Sequence, residues 1–403
     1  MLQQYGYNSE EATRRAKDDL FSVQNSRKAR MGQARALQNP AFMQNKKKQE
    51  ESLLAKINAD PRLARFAEGW SLIAAAQKDA TELSVEYGQL ERGTAFNSAV
   101  FNIARELVRI AAEDKIESSK RLREYRDSAR ASLLQELLSE APLYPDLETA
   151  KLADSLSNFA DAMGGGHPLV LQVLDGKGPV DRAPDLINGT KLFDVRERKR
   201  LLEGGQAAID SSTDPMILLA RLVDEPARGV RKKFEERVQE VERKGYSLIA
   251  DAMFAIHGSN TYPDATFTLR LSFGPVKGYE EAGVAVPAFT TLGGAFAHEE
   301  SHGGKEPWKL PASWHSARSR IPADTPFNFV CTADIIGGNS GSPVFNTNAE
   351  FVGIIFDGNI QSLAADYMYS DEQARAVSVH SAAITAALKH VYGAGDLAEQ
   401  LGR

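Results

Sequence analysis

The 403-residue chain has one cysteine, Cys331. That excludes an intrachain disulfide and any cysteine-rich metal cluster, and the role to expect for Cys331 is a small buried apolar residue. The sequence lacks the apolar run of about 18 residues that a membrane-spanning helix requires. Neither charge dominates: 48 Lys and Arg stand against 54 Asp and Glu, a net of −6. That balance gives no reason to expect nucleic acid or a membrane surface as partner. The amino end, MLQQYGYNSEE, lacks the basic stretch and the apolar stretch of a secretory signal. Either the mature chain is cytosolic or the true beginning of the protein lies upstream of Met1.

What is present is an ordinary globular composition, 42% hydrophobic and 25% charged, in a length that suits two or three domains. Up to about residue 250 the chain reads as helix after helix. Ser9 can cap a helix whose first turn carries Glu10 and Glu11, with Ala12, Ala16, Leu20 and Val23 along one face. Phe96, Val100, Ile103, Leu107 and Ile110 recur at helical spacing, as do Val230, Phe234, Val238 and Val241. Breaks fall at Asn39-Pro40, Asp60-Pro61, Pro142 to Pro145, Gly164 to Pro168 and Asp214-Pro215.

The texture changes near residue 257. From Thr266, TFTLRLSFGPVKGY alternates Phe267, Leu269, Leu271 and Phe273 with polar residues, which predicts a strand. Further strands are expected over 327–331, at PVF and at EFVGIIF, the last two joined by a hairpin turn at 346–349. A helix over 382–392 is expected to close the chain. The fold class is therefore α+β, a large all-helical domain at 1–256 followed by an incomplete-looking antiparallel β domain at 257–403.

Chemistry concentrates in DIIGGNSGSPVFN, residues 334–346. A hydroxyl nucleophile needs a bend that presents its oxygen and nearby N–H donors for the oxyanion that forms on attack. Glycines supply both, because they tolerate unusual dihedral angles and close approach of substrate. Ser340 is the candidate nucleophile, with the N–H groups of Gly338 and Ser340 as oxyanion donors. By itself the GNSG segment also reads as a plain glycine-serine turn between strands.

GNSGSPVFN resembles the nucleophile loop of chymotrypsin-fold serine peptidases, especially that of glutamyl endopeptidases, and PVFN followed by EFVGI matches the hairpin after their serine. Together, TYPDATFTLRLSFGPVKGY, GGNSGSPVFN, FDGN at 356–359 and DPMILLARLVDEPAR at 214–228 resemble the bacterial dipeptidyl-peptidase 7 and 11 family, over essentially the whole chain. The resemblance implies a helical domain inserted into a chymotrypsin-like double barrel, of which this chain carries the carboxy-terminal part. It implies a serine dipeptidyl aminopeptidase that takes peptide substrates and uses no metal or cofactor. The helical domain would cap the active site, leaving room for two residues ahead of the scissile bond. A homodimer is compatible with it. Two departures stand out: Ile336 where the family has threonine, and His380 where an acidic residue is expected.

The family's catalytic histidine and aspartate come from a region ahead of the helical domain, with the histidine in an Asn-His-His-Cys-Gly context. None of the seven histidines here, His167, His257, His298, His302, His315, His380 and His390, has it. The expectation is a carboxy-terminal portion of a longer periplasmic or secreted enzyme, in which Ser340 alone is nearly inert. His298 and His302, four apart in AHEESHGG, are expected in a solvated loop rather than on a metal. By resemblance, Asp357 receives the peptide's α-amino group. Gly358 lines the specificity pocket, leaving room for an apolar penultimate residue where acid-specific members carry arginine. Asn25 is the best placement of a second amino-end anchor. Two other readings remain: a non-catalytic peptide-binding module with a degenerate barrel, and a glutamyl-type endopeptidase.

Overall fold

The computed structural model describes residues 1–258 and 269–402, which group into two units. One comprises Met1–Gln24 and Leu53–Asn260, the other Asn25–Ser52 and Thr261–Arg403. The stretch 25–52 is helical, as its sequence says, yet groups with the carboxy-terminal residues rather than with the helices on either side of it in sequence. Periodicity reports local conformation and is blind to the body on which a helix packs.

The chain begins with α1 (Leu2–Gly6), α2 (Glu10–Gln38), α3 (Pro40–Ala59), α4 (Glu68–Glu86), α5 (Ala99–Glu113) and α6 (Asp127–Leu137). It continues through α7 (Pro145–Met163), α8 (Pro168–Leu174), α9 (Pro179–Gly189), α10 (Val195–Asp210), α11 (Pro215–Phe234) and α12 (Glu240–His257). Four of the five expected breaks are where helices start: Pro40, Pro145, Pro168 and Pro215 each open one, a position where the missing proline N–H costs nothing, whereas Asp60-Pro61 follows the end of α3 and opens none. Ser9 caps α2, its Oγ accepting the Ala12 N–H at 3.0 Å.

In the helical unit Phe96, Phe101 and Phe159 form a ring cluster beside Leu107 and Ile110, all buried. Arg109, on α5, is buried with them and holds Glu91 at 2.6 Å and Asp224 at 2.8 Å. Burial works against its charge, and pairing with Glu91 more than offsets that, so its pKa lies above the ordinary arginine value. Removing one partner of such a pair strands a charge in the core, at a cost of about 3–5 kcal/mol.

The second unit holds β1 (Tyr279–Glu281), β2 (Val284–Val286), β3 (Phe289–Thr291), β4 (Pro326–Cys331), β5 (Pro343–Phe345), β6 (Phe351–Gly358) and β7 (Ala376–His380). Its helices are α13 (Leu292–Ser301), α14 (Ala312–Ala317), α15 (Ser381–His390) and α16 (Gly395–Leu401). β1 and β2 form a small hairpin, and the other five make an antiparallel sheet in the order β3-β4-β7-β6-β5. The β5–β6 hairpin is the one expected. In its turn Asn346 Oδ1 accepts the N–H groups of Asn348 and Glu350, and Ala349 takes a positive φ of 61°. Cys331 is buried against Ile355 and Ala376.

Three expectations fail here. The helix expected over 382–392 forms as α15 but does not close the chain, because α16 follows it. The strand from Thr266 does not form over its described part: residues 269–275 are not in a strand, and Leu269, Leu271 and Phe273 stand exposed. Pairing begins only at a bridge between Val276 and Cys331, and residues 266–268 lie outside the described ones. Alternation marks a face but supplies no neighbouring strand, and a strand exists only when paired. The AHEESHGG segment is not a loop. Thr291 Oγ1 caps α13 through the Gly294 N–H, and His302, just past that helix, stacks on Trp308 with ring centroids 4.1 Å apart.

His380 caps α15, its Nδ1 accepting the Ala382 N–H at 3.0 Å. The ring lies against Phe289 and Phe329. Burial lowers its pKa from 6.5, so the unfolded chain takes up the proton first as pH falls. The stability it contributes is therefore complete above pH ~6.5 and is lost as pH drops through the lower folded-state value. His380→Asn keeps a capping oxygen without a titrating ring. Denaturant midpoints measured from pH 7.5 to 5 should fall more steeply for the wild type than for this variant; superimposable profiles would refute the assignment.

Candidate active site

The loop between β4 and β5 turns on glycines that no other residue replaces without strain: φ is 107° at Gly338 and 89° at Gly341. Asn339 staples it from within, its Oδ1 accepting the Ile336 N–H at 3.0 Å and its N–H donating to the Ile336 carbonyl at 3.2 Å. The loop uses only the backbone of Ile336, so isoleucine in place of threonine leaves these bonds intact. Two bonds clamp the loop to β6: Gly341 N–H to Ile355 O at 2.8 Å, and Ile355 N–H to Ser342 O at 3.1 Å. Ser340 then sits exposed, its Oγ donating to the carbonyl of Phe356 at 3.2 Å. Among the described residues the N–H groups of Gly338 and Ser340 donate to no acceptor, the condition required of oxyanion donors.

Strand β6 carries an irregularity at this point. Ile355 pairs with Ser378 of β7 and Asp357 with the very next residue, Val377, so two residues of β6 oppose one of β7 and Phe356 is bulged. In a regular strand Asp357 would share a face with buried Ile355. The bulge turns it out, and its side chain is 48% exposed. A carboxylate that strict alternation would bury is thereby available to a ligand, one residue from the carbonyl that holds Ser340.

Residues 25–52 supply the other wall. Lys28, on α2, places Nζ 3.2 Å from Asp357 Oδ2. Asn25 lies three residues earlier on the same helix, the spacing of side-chain neighbours on one face, and is exposed. Further along, Gln33 donates to Asp366 at 2.6 Å and Lys46 to the carbonyl of Tyr367. Gly32 lets Leu363 approach: a Cβ there would fall 2.4 Å from Leu363 Cδ1. Asn359, the last residue of FDGN, fixes the turn after β6, its Oδ1 accepting the N–H groups of Ser362 and Arg375. Gly358 is not bordered by open space on its Cβ side, where an added Cβ would meet Ser362 Oγ at 2.2 Å. Any side chain at 358 requires Ser362 to move.

Ser340, Gly338, Asp357, Gly358 and Asn25 thus fall in one unit, the first four in two adjoining segments. Lys28, Gly32 and Ser362 escape a reading of the sequence. The signal for Lys28 was its place one turn beyond Asn25, which has meaning only once Asp357 is known to face that helix. Among the described residues no histidine binds Ser340. His380 is opposite Gly353, three residues along β6 from Phe356 and about 10 Å away at strand rise. His298 lies in the last turn of α13, 4.4 Å from the ring of His302, and His315 holds Glu299 at 3.1 Å. No cluster of three metal-ligating side chains occurs among the described residues, and none of their helices is long and apolar enough to cross a membrane.

A family profile described as peptidase S46 matches residues 1–403. A dipeptidyl-peptidase 7 of Porphyromonas endodontalis is 26% identical over 370 residues, 87% of this chain and 43% of that protein. A dipeptidyl-peptidase 7 of Phocaeicola vulgatus is 40% identical over 124 residues, 29% of this chain and 17% of its own. An Asp/Glu-specific dipeptidyl-peptidase of Shewanella putrefaciens is 29% identical over 223 residues, 47% of this chain and 30% of that one. The fold matches the crystal structure of Porphyromonas endodontalis DPP11 in complex with the dipeptide Arg-Glu, with a TM-score of 0.77 at 18% identity, covering 100% of this chain and 58% of the other. The chain spans about half the length, or less, of the relatives it matches.

The contact between Gly32 and Leu363 can be tested by sign. Alanine at an exposed helix position ordinarily stabilises by about 1 kcal/mol over glycine. Here the clash outweighs it, and Gly32→Ala should destabilise the protein by about 1–2 kcal/mol in denaturant titrations. In a Leu363→Ala background the same change should become neutral or stabilising. A stabilising effect in both backgrounds would show that helix α2 does not pack on residue 363.

Proposed function

The chain belongs to the peptidase S46 family, and on that premise we propose that it supplies the nucleophile and the amino-end anchor of a serine dipeptidyl aminopeptidase. Ser340 attacks the scissile carbonyl, and the Gly338 and Ser340 N–H groups receive the oxyanion. The observation that carries this reading is the bulge in β6. It exposes a carboxylate, Asp357, one residue from the carbonyl that holds the nucleophile. A two-residue peptide reaches only about 7 Å from ammonium to scissile carbonyl. An anion so close to the serine binds an amino terminus two residues upstream of the cut and leaves little room for a longer chain. Asn25, one helical turn from the lysine that pairs with Asp357, adds a hydrogen-bonding group at the same end. The proton of Ser340 must go to a base outside the described contacts, and the family supplies such a base as a histidine.

For the penultimate residue, the relatives divide into forms named Asp/Glu-specific and forms named dipeptidyl-peptidase 7. Gly358 aligns this chain with an apolar preference. It brings no cation to pair with a substrate carboxylate, which would lose its hydration there without compensation. Each Å² of apolar substrate surface buried instead contributes roughly 25 cal/mol. On this reading the enzyme works in the periplasm or outside the cell.

Two measurements test these assignments. Dipeptide release should require a free amino terminus: acetylating the substrate should lower kcat/KM by at least ~100-fold, and Asp357→Asn should abolish that discrimination. Equal cleavage of free and acetylated peptides by the wild type refutes the exopeptidase reading. Gly358→Arg, combined with Ser362→Ala to vacate the space, should shift kcat/KM from leucine toward glutamate at the second position. If the wild type already prefers glutamate, or the double variant keeps its preference for leucine, residue 358 does not select the substrate.

A further inference from the structure

The Lys28–Asp357 pair bears on which substrates bind, an inference that rests on the proposed amino-end role of Asp357. The pair is half exposed on both sides, 45% and 48%. It joins one oxygen of the carboxylate, Oδ2, while Oδ1 accepts the Gly358 N–H at 2.8 Å. The two oxygens therefore have different tasks: Oδ1 is tied to the backbone and orients the group, and Oδ2 faces an ammonium at the end of a flexible stem. That ammonium has the charge and donor number of a peptide's amino terminus. An ion pair this accessible is weak because water screens it, so an incoming amino terminus can replace it without a large penalty.

We propose that Lys28 stands in for the substrate's α-ammonium in the free protein and, once displaced, selects for an acidic side chain on the first residue of the peptide. The displaced lysine cannot leave the region, because its Cα is fixed on α2, which Gln33 and Gly32 tie to the 363–366 segment. Its charge is left beside the residue whose amino group has taken its place. A glutamate there regains the lost pairing, an alanine is indifferent, and a lysine is repelled. The arrangement also holds Asp357 in its binding rotamer before substrate arrives, so the carboxylate need not be ordered on binding.

Calorimetric titration with free dipeptides tests this without requiring turnover. Glu-Leu should bind about 3-fold more tightly than Ala-Leu, and Lys-Leu more weakly than either, the scale of an exposed charge pair. Lys28→Met should bring the three affinities together without weakening Ala-Leu, and Lys28→Glu should invert the order. A purely structural role for Lys28 would weaken all three alike. An unchanged order in both variants overturns the inference; if Asp357→Asn then abolishes binding of every free dipeptide, the amino-end anchor still stands. If Asp357→Asn binds them as the wild type does, or the wild type binds none, the anchor fails and the inference with it.

Discussion

Three hydrogen bonds fasten the glycine-rich loop to strand β6: Gly341 N–H to Ile355 O, Ile355 N–H to Ser342 O, and Ser340 Oγ to Phe356 O. Nothing else in the site has meaning without them. A loop containing two positive-φ glycines has many conformations open to it, and each backbone bond to a paired strand removes most of them. The strand is in turn held by β7, whose approach depends on Gly353, where a Cβ would lie 2.2 Å from the Val379 carbonyl. The position of Ser340 is therefore inherited from a sheet rather than from the loop's own sequence.

The same strand decides what lies beside the nucleophile. Regular alternation would bury Asp357 next to Ile355, and an unpaired carboxylate in the core is too costly to keep charged. The bulge at Phe356 resolves the conflict by inserting one residue, and the site gains an anion where a sheet would otherwise present its core face. Gly358 and Ser362 show the reciprocal constraint. Ser362 Oγ donates to the Asn359 carbonyl and so holds the volume that a side chain at 358 would need. The space beside residue 358 is set by the pair, not by the glycine alone.

Ion pairs appear in this protein in two forms with opposite uses. Arg109, enclosed with Glu91 and Asp224, is unable to exchange partners because water cannot replace them. Lys28 and Asp357, half in solvent, are screened by water and held weakly. The chemistry of the two pairs is alike, and burial alone separates the enclosed pair from the one that water screens.

By itself the sequence determined the helices and their breaks, because proline, capping residues and apolar periodicity act over a few neighbouring positions. It likewise marked the glycine turns at 338 and 341, whose dihedral freedom is a local property, and the β5–β6 hairpin, whose turn is closed by Asn346. Tertiary structure alone decided the rest. The alternating residues 269–275 have the pattern of a strand and touch residues 332–334 through isolated bonds, from Ser272 Oγ to the Asp334 carbonyl and from the Thr332 N–H to the Pro275 carbonyl, so no ladder forms and Leu269, Leu271 and Phe273 stand exposed. The stretch 25–52 looks like the helices around it and groups instead with the sheet-bearing unit. Lys28 meets Asp357, 329 residues away, and Gly32 meets Leu363. A bulge is invisible in the one strand that contains it, since it is defined by the register of the strand alongside. Long-range pairing, and the burial it brings, is the information that a local pattern does not carry.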